Sequence, residues 1–439
     1  MAIQMFTSKE GKNHFVTFAL VSTLFLLWGV CNGMIDVMDK HFQDLLHLSK
    51  SQSAWVQFAH YLGYFLMALP ASLLTQKIGY KGGIISGLLL VSVGGFWFVP
   101  ATFIAQFWSF LLGVCIISMG LTVLETVANP YTTVLGPQEF AASRINIAQA
   151  MNGIGWIAGP IIGGMFFYSA GGAEAAQGQL YIPYVTVAIV VLVMALAFYF
   201  SPVPDLNTED EYHINTTDAT TTAKRSIWSH PHFVGGLTAQ FLYVAAQAGI
   251  FSFFINYMIE EMPSLSQSMA ESWFFSGRTF LRDGSIFVNE HGASFLLGTV
   301  GFPLFLLGRA TGAAFMKTVP AHRLLGLYAL INVILCSIVV MKLGWISVAA
   351  VFGTFLFMSI MFPTIFALGI YGLGLQAKKA SGFIVMAIMG GAIMPKLMGH
   401  IGDVYNMSVS FLMPLCCFAV VSAYGYAWSK LSKSGKEQQ

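Results

Sequence analysis

The chain has 439 residues; 56% are AVILMFWYC, only 9% are charged, and the mean hydropathy is +0.72. A soluble chain of this length would form about three domains and carry about 25% charge, so the composition excludes a cytosolic enzyme, a nucleic-acid binder and a disordered scaffold. Lys and Arg number 21 against 19 Asp and Glu, a net charge of +2 that would draw no acidic polymer.

Apolar stretches of about 20 residues, enough to cross about 30 Å of hydrocarbon as helix, recur along the chain. Twelve are predicted, at 14–38, 53–75, 82–101, 104–134, 142–168, 181–201, 233–259, 292–316, 322–342, 345–371, 378–401 and 408–429. The first is too long for a signal-peptide core and is expected to stay as a span. The five cysteines, Cys31, Cys115, Cys336, Cys416 and Cys417, lie in apolar stretches without disulfide or zinc spacing and read as packing residues. No short alternating segments favour a barrel.

The interval Ser201–Pro231, with Asp205, Glu209, Asp210, Glu211 and a Thr-rich stretch, is the long hydrophilic break near the middle. It divides the chain into a six-helix bundle at 1–201, a linker at 202–231 and a second six-helix bundle at 232–439. With the N-terminus in the cytoplasm, only Lys40, Lys50, Arg278, Arg282 and Lys342 face out, while most other basic residues face in. That asymmetry places both termini and the linker on the cytoplasmic side. The outer interval from Glu261 to Glu290, carrying Trp273, Phe274 and Phe280, reads as a solvated loop with aromatics at headgroup level, or else as a small interfacial cap.

The halves echo one another. Asn129-Pro-Tyr-Thr-Thr-Val-Leu-Gly136 in span four matches Phe362-Pro-Thr-Ile-Phe-Ala-Leu-Gly369 in span ten at Pro, Leu and Gly. Ala142-Ser143 with Met151 and Gly153 in span five likewise meets Ala380-Ser381 with Met389 and Gly391 in span eleven. These matches favour duplication of a bundle, the arrangement in which carriers hold substrate between the copies. Asn146 and Gln149 have apolar counterparts, Ile384 and Ala387, so polar recognition is concentrated in the first half.

Two carboxylates fall inside predicted helices: Asp36 in span one and Glu125 in span four. A charge near the bilayer centre costs about 2.5–3.5 kcal/mol on insertion scales, so such an acid lines a wet cavity, takes up a proton, or bonds to a neighbouring helix. The first two readings make Asp36 and Glu125 candidate proton-coupling groups. Around them stand the amides Asn32, Gln57, Asn129, Asn146, Gln149 and Asn152, with Gln247 on span seven. Amides donate to and accept from hydroxyl groups, which suits a neutral polyhydroxylated ligand, and Trp28, Tyr61 or Tyr64 could stack on a sugar face. Singly, each amide reads equally as an interhelical hydrogen bond. His60 reads as a packed, hydrogen-bonded histidine, and Lys396 as a lysine snorkelling to the interface. His230 and His232 make a weak metal pair, and no metal or cofactor is expected. The chain holds no Walker A, H-E-x-x-H or G-x-S-x-G motif, so it reads as no enzyme.

At Leu124-Glu-Thr-Val-Ala-Asn-Pro-Tyr-Thr-Thr-Val-Leu-Gly-Pro137, Arg144-Ile-Asn-Ile-Ala-Gln149, Ala239-Gln-Phe-Leu-Tyr-Val-Ala-Ala-Gln247, Gly308-Arg-Ala-Thr-Gly312 and Phe362-Pro-Thr-Ile-Phe-Ala-Leu-Gly-Ile370 the chain resembles the fucose–proton symporter family of sugar permeases, in the major facilitator superfamily. The resemblance implies an all-α polytopic fold of two six-helix bundles, functional carboxylates at Asp36 and Glu125, and a sugar-binding amide at Gln149. It also implies a bacterial inner membrane, a lipid-embedded carrier functional as a monomer, and a small neutral sugar moved with a proton. Three departures stand out: Phe362 where the pattern has Tyr, Gly33 in place of a polar residue near Asp36, and a longer outer segment after span seven. Glu at position 125, where glucose/galactose permeases have Gln, leans toward proton coupling and a fucose-like substrate. A sodium-coupled or uncoupled hexose carrier, or a non-transporting sugar sensor, is the alternative.

Overall fold

The computed structural model describes residues 4–7, 13–137, 141–168, 181–201, 226–316, 318–373 and 377–434. Twelve of its helices are long and apolar enough to cross a membrane. They are α1 (Phe15–Leu46), α2 (Lys50–Thr75), α3 (Lys77–Ile104), α4 (Phe107–Val134), α5 (Ala141–Tyr168), α6 (Ile182–Phe200), α7 (Pro231–Ser252), α8 (Glu290–Phe315), α9 (Ala321–Val340), α10 (Trp345–Ile370), α11 (Gly382–Val404) and α12 (Met407–Ser432). Helix is what a lipid solvent demands, because it satisfies every backbone N–H and C=O inside one segment. Most of the predicted linker, 202–225, lies outside the described residues.

By its contacts the chain forms two compact units, Met1–His47 with Phe58–Glu211, and Leu48–Gln57 with Tyr212–Gln439. The first unit has its core where α1, α3, α4 and α6 meet, with Phe25, Leu88, Val91, Leu121, Leu124 and Phe198 all buried. In it α1 packs on α5 through glycines. A methyl group added at Gly29 would stand 2.2 Å from the Asn152 carbonyl oxygen, and one at Gly33 would stand 3.0 Å from that of Trp156. Gly33, which departs from the family pattern, is therefore a helix-packing position: any side chain there pushes α5 away.

In the second unit Tyr243 donates to the Met358 carbonyl (3.0 Å) and Tyr424 to the His232 carbonyl (3.1 Å), tying α7 to α10 and α12. Phe251, Phe302 and Phe355 pack together between α7, α8 and α10. The start of α2 belongs to this unit: the Asp403 carboxylate accepts from the backbone N–H groups of Lys50 and Ser51, each at 2.9 Å, and Lys50 pairs with Glu260 at 2.9 Å. Lys396, read as a snorkelling lysine, is exposed and holds its ammonium 3.9 Å from the centre of the Trp55 ring. The outer interval is not a plain loop. It carries an antiparallel hairpin, β1 (Thr279–Arg282) and β2 (Ser285–Val288), turned by Asp283 and Gly284, both at positive φ.

Two boundaries move. Residues 39–46 continue α1, because Lys40 and Asp44 pair across one helical turn and satisfy each other on its surface. The other is a sharp break within a continuous helical run: Gly79, two residues into α3, has a φ of 72° that suits glycine and bends the run just after α2 ends.

Candidate functional site

The first unit gathers polar side chains from four helices. On α1, Trp28, Asn32 and Asp36 fall one above another at four-residue spacing, about 6 Å apart along the axis. Trp28 donates its indole N–H to the Tyr64 hydroxyl on α2 at 2.7 Å. That hydroxyl also interacts with the Asn32 side chain and with the Glu125 carboxyl on α4. One turn further along α4, Asn129 accepts at its Oδ1 a 3.1 Å hydrogen bond from Gln149 Nε2 on α5. Its own amide nitrogen donates to the Glu125 backbone carbonyl at 3.2 Å.

The result is a run of groups, Trp28, Tyr64, Asn32, Glu125, Asn129 and Gln149, able to exchange hydrogen bonds with a polyol from one end to the other. Glu125 is half-buried. An acid in this setting is open to a hydroxyl group or a proton.

The other candidates fall differently. Asp36 is 4% exposed, one turn beyond Asn32 on the same face of α1. Asn152 donates to the Phe25 carbonyl at 3.2 Å and so helps join α5 to α1. Asn146 is on α5, its side chain outside the described set. Gln57, buried, and Gln247, half-buried, belong to the second unit. His60 has its Nδ1 2.6 Å from Ser118 Oγ, and its ring packs on Tyr61 and Tyr64. His232 is held through Nε2 by the Tyr371 carbonyl at 2.9 Å. Phe362, which departs from the family pattern, is half-buried with its ring 6.4 Å from that of Tyr243.

One acid escaped the sequence reading. Asp39, on the extended end of α1, is fully buried. Its neighbours Lys40 and Asp44 made it look like part of a polar helix end. The usable signal was the three-residue spacing from Asp36, which keeps both acids near one face.

The first unit also holds a cavity of about 40 Å³ lined by Cys31, Met34, Ile35, Val91, Ser118 and Tyr184 among others. Its walls are largely apolar, which sets it apart from the polar run.

Twelve apolar helices in two units, with carboxyl and amide groups gathered inside the first, define an integral membrane protein of the polytopic carrier type. The chain belongs to the Major Facilitator Superfamily, whose family model matches residues 15–394. It is 33% identical over 432 residues to the L-fucose-proton symporter of Escherichia coli (strain K12), with 94% of this chain and 93% of that one covered. It is 32% identical over 427 residues to the glucose/galactose transporter of Brucella abortus biovar 1 (strain 9-941), covering 96% of each. Among solved structures it is similar to the Major Facilitator Superfamily transporter FucP in the outward conformation, with a TM-score of 0.64, 33% identity, and 94% of this chain and 99% of that chain covered. The resemblance and the twelve-helix fold read from the sequence are borne out.

Proposed function

We propose that the chain is a secondary active transporter that takes up a neutral, fucose-like monosaccharide together with a proton by alternating access. The observation that carries this reading is the Glu125 carboxyl, whose charge acts on the Tyr64 hydroxyl and which lies one turn from the Asn129–Gln149 pair. In it a titratable group and sugar-binding amides share one polar run. Protonation of Glu125 or Asp36 neutralises the run, lets the loaded carrier reorient, and is reversed by proton loss on the other side. Asn32, Asn129 and Gln149 bind the sugar, joined by Gln57, Asn146, Asn152 and Gln247 as further candidate contacts. The carrier sits in a bacterial inner membrane as a monomer with both termini and the 202–231 linker in the cytoplasm, and residues 1–201 and 232–439 act as its two bundles. It catalyses no chemical reaction.

The test is a panel of labelled sugars, L-fucose, D-galactose and D-glucose included, assayed for uptake into vesicles and for alkalinisation of the outer medium. Uptake of L-fucose with alkalinisation is expected. A second reading, a sodium-coupled or uncoupled hexose carrier, draws on the glucose/galactose transporter relatives. Hexose uptake that follows a sodium gradient, or that neither gradient drives, would establish it. Sugar binding without flux would make the protein a sensor.

A further inference from the structure

We infer that Arg144 is a positioning residue: its guanidinium sets the register of α4 against α5, and with it the Asn129–Gln149 pair, while tying down the start of the chain. Its bearing on sugar rests on the transport reading above; its bearing on register does not.

Arg144 has no exposed surface, and four of its hydrogen bonds go to backbone carbonyls. Nε donates to the Thr132 carbonyl at 2.9 Å, Nη2 to that of Gly136 at 3.2 Å, and Nη1 to those of Pro137 at 3.0 Å and Met5 at 2.8 Å. Three of these acceptors are the last turn of α4 and the residues just after it, where a helix leaves its carbonyls without partners and its dipole is negative. A buried cation is thus satisfied by the atoms that most need a donor. The fit requires glycine at 136: φ is 146°, and a methyl group there would stand 2.5 Å from the Met5 oxygen.

The fourth acceptor brings in the N-terminal segment. Phe6, beside Met5, is buried with its ring 5.3 Å from that of Phe15 and 4.8 Å from that of Phe18, and its carbonyl accepts from the His14 N–H at 2.8 Å. Beginning of chain, end of α4 and start of α5 therefore meet on one side chain.

Thr132 is three residues beyond Asn129 on α4, and Arg144 five residues before Gln149 on α5. The guanidinium and the amide pair are thus two rungs between the same helices, about 4.5–7.5 Å apart along them. A slip that breaks one strains the other. Lysine cannot replace the guanidinium, because an ammonium is a point with three donors, whereas a planar fork reaches four carbonyls at once.

The experiment uses the full-length protein in proteoliposomes. Asn129→Cys and Gln149→Cys are introduced together, and disulfide formation is read by mass spectrometry of the linked peptides, with no sugar present. With Arg144 intact the pair is expected to link readily, and with Arg144→Lys or Arg144→Met at least fivefold less. In chains without those cysteines, Arg144→Met is expected to weaken L-fucose binding about tenfold, but to add little in a Gln149→Ala background, since both act through one pair. Unchanged cross-linking in Arg144→Lys, or effects of Arg144 and Gln149 that multiply independently, would overturn the assignment. So would loss of both Arg144 variants from the membrane, which marks a folding role. A wild type that binds no sugar but cross-links in an Arg144-dependent way would remove the sugar reading and uphold the register.

Discussion

Glu125→Gln keeps the size and shape of the side chain and removes its titration. In the wild type, one proton entering down a membrane potential of 100 mV releases about 2.3 kcal/mol. At about 1.4 kcal/mol per factor of ten, that sustains roughly 40-fold accumulation of sugar with no pH gradient. The amide keeps the reach of the acid and the Tyr64 hydroxyl keeps its bond from Trp28 at 2.7 Å, so loss of binding is expected to stay near one ordinary hydrogen bond, about 1 kcal/mol. Accumulation in proteoliposomes under an imposed potential is expected to fall from roughly 40-fold to about onefold, while sugar counterflow, which moves no net proton, persists. The sign with pH follows from the carrier loading in its protonated form. Raising the outer pH ionises the acid and slows wild-type uptake, whereas Glu125→Gln gives a flat profile. A variant that still accumulates sugar under potential, with the pH dependence of the wild type, would remove Glu125 from the coupling step.

Three more outcomes follow from particular contacts. Gly29→Val puts atoms 2.2 Å or less from the Asn152 carbonyl oxygen, so α1 and α5 must separate. The overpacking cost of about 1–3 kcal/mol is expected as a lowered melting temperature in detergent, and an unchanged one would contradict the close crossing. Trp28→Phe removes the donor to Tyr64 and is expected to weaken sugar binding about five- to tenfold. Tyr64→Phe should do the same, and the double variant should lose little more, so full additivity in a binding titration would show that the two do not act as a pair. Asp403→Ala leaves the Lys50 and Ser51 N–H groups without their acceptor. Loss of such a cap, about 0.5–2 kcal/mol, is expected as faster hydrogen exchange at those amides, and unaltered rates would mean that the docking rests on the Lys50 ammonium, which meets Glu260 and the Gly402 carbonyl.

The twelve spans were legible because a lipid solvent leaves little choice: a stretch of about 20 apolar residues must be helix. Where charge entered, the hydropathy count failed. It ended span one at residue 38, although Asp39 turns inward while Lys40 and Asp44 satisfy each other outside. An average over a window treats these three charges alike, and only the helical face distinguishes them. The hairpin at Thr279–Val288 escaped for a different reason. Its strands are four residues each, and the Asp-Gly turn between Arg282 and Ser285 was the signal available.

Within the site, what could be read divides by what each side chain bonds to. Trp28 with Tyr64, and Asn129 with Gln149, are pairs of distinctive side chains, and residues of those types gathered in a few apolar helices announce themselves even before the partners are known. Bonds from a side chain to a backbone carbonyl leave no such trace, because every residue carries the acceptor. Asn152 stood among the sugar-binding amides on its type, yet its nitrogen is engaged by the Phe25 carbonyl. Arg144 looked like one more basic residue at a helix end, yet it holds carbonyls from positions as distant as Met5 and Pro137. The information that fixes Arg144 lies in the glycine at 136, whose φ of 146° lets the backbone fold around the guanidinium. A glycine shortly after an apolar helix and an arginine eight residues further on is a pattern whose meaning appears once the chain has turned back on itself. The sequence therefore exposes the groups that meet the substrate more readily than the groups that hold those in place.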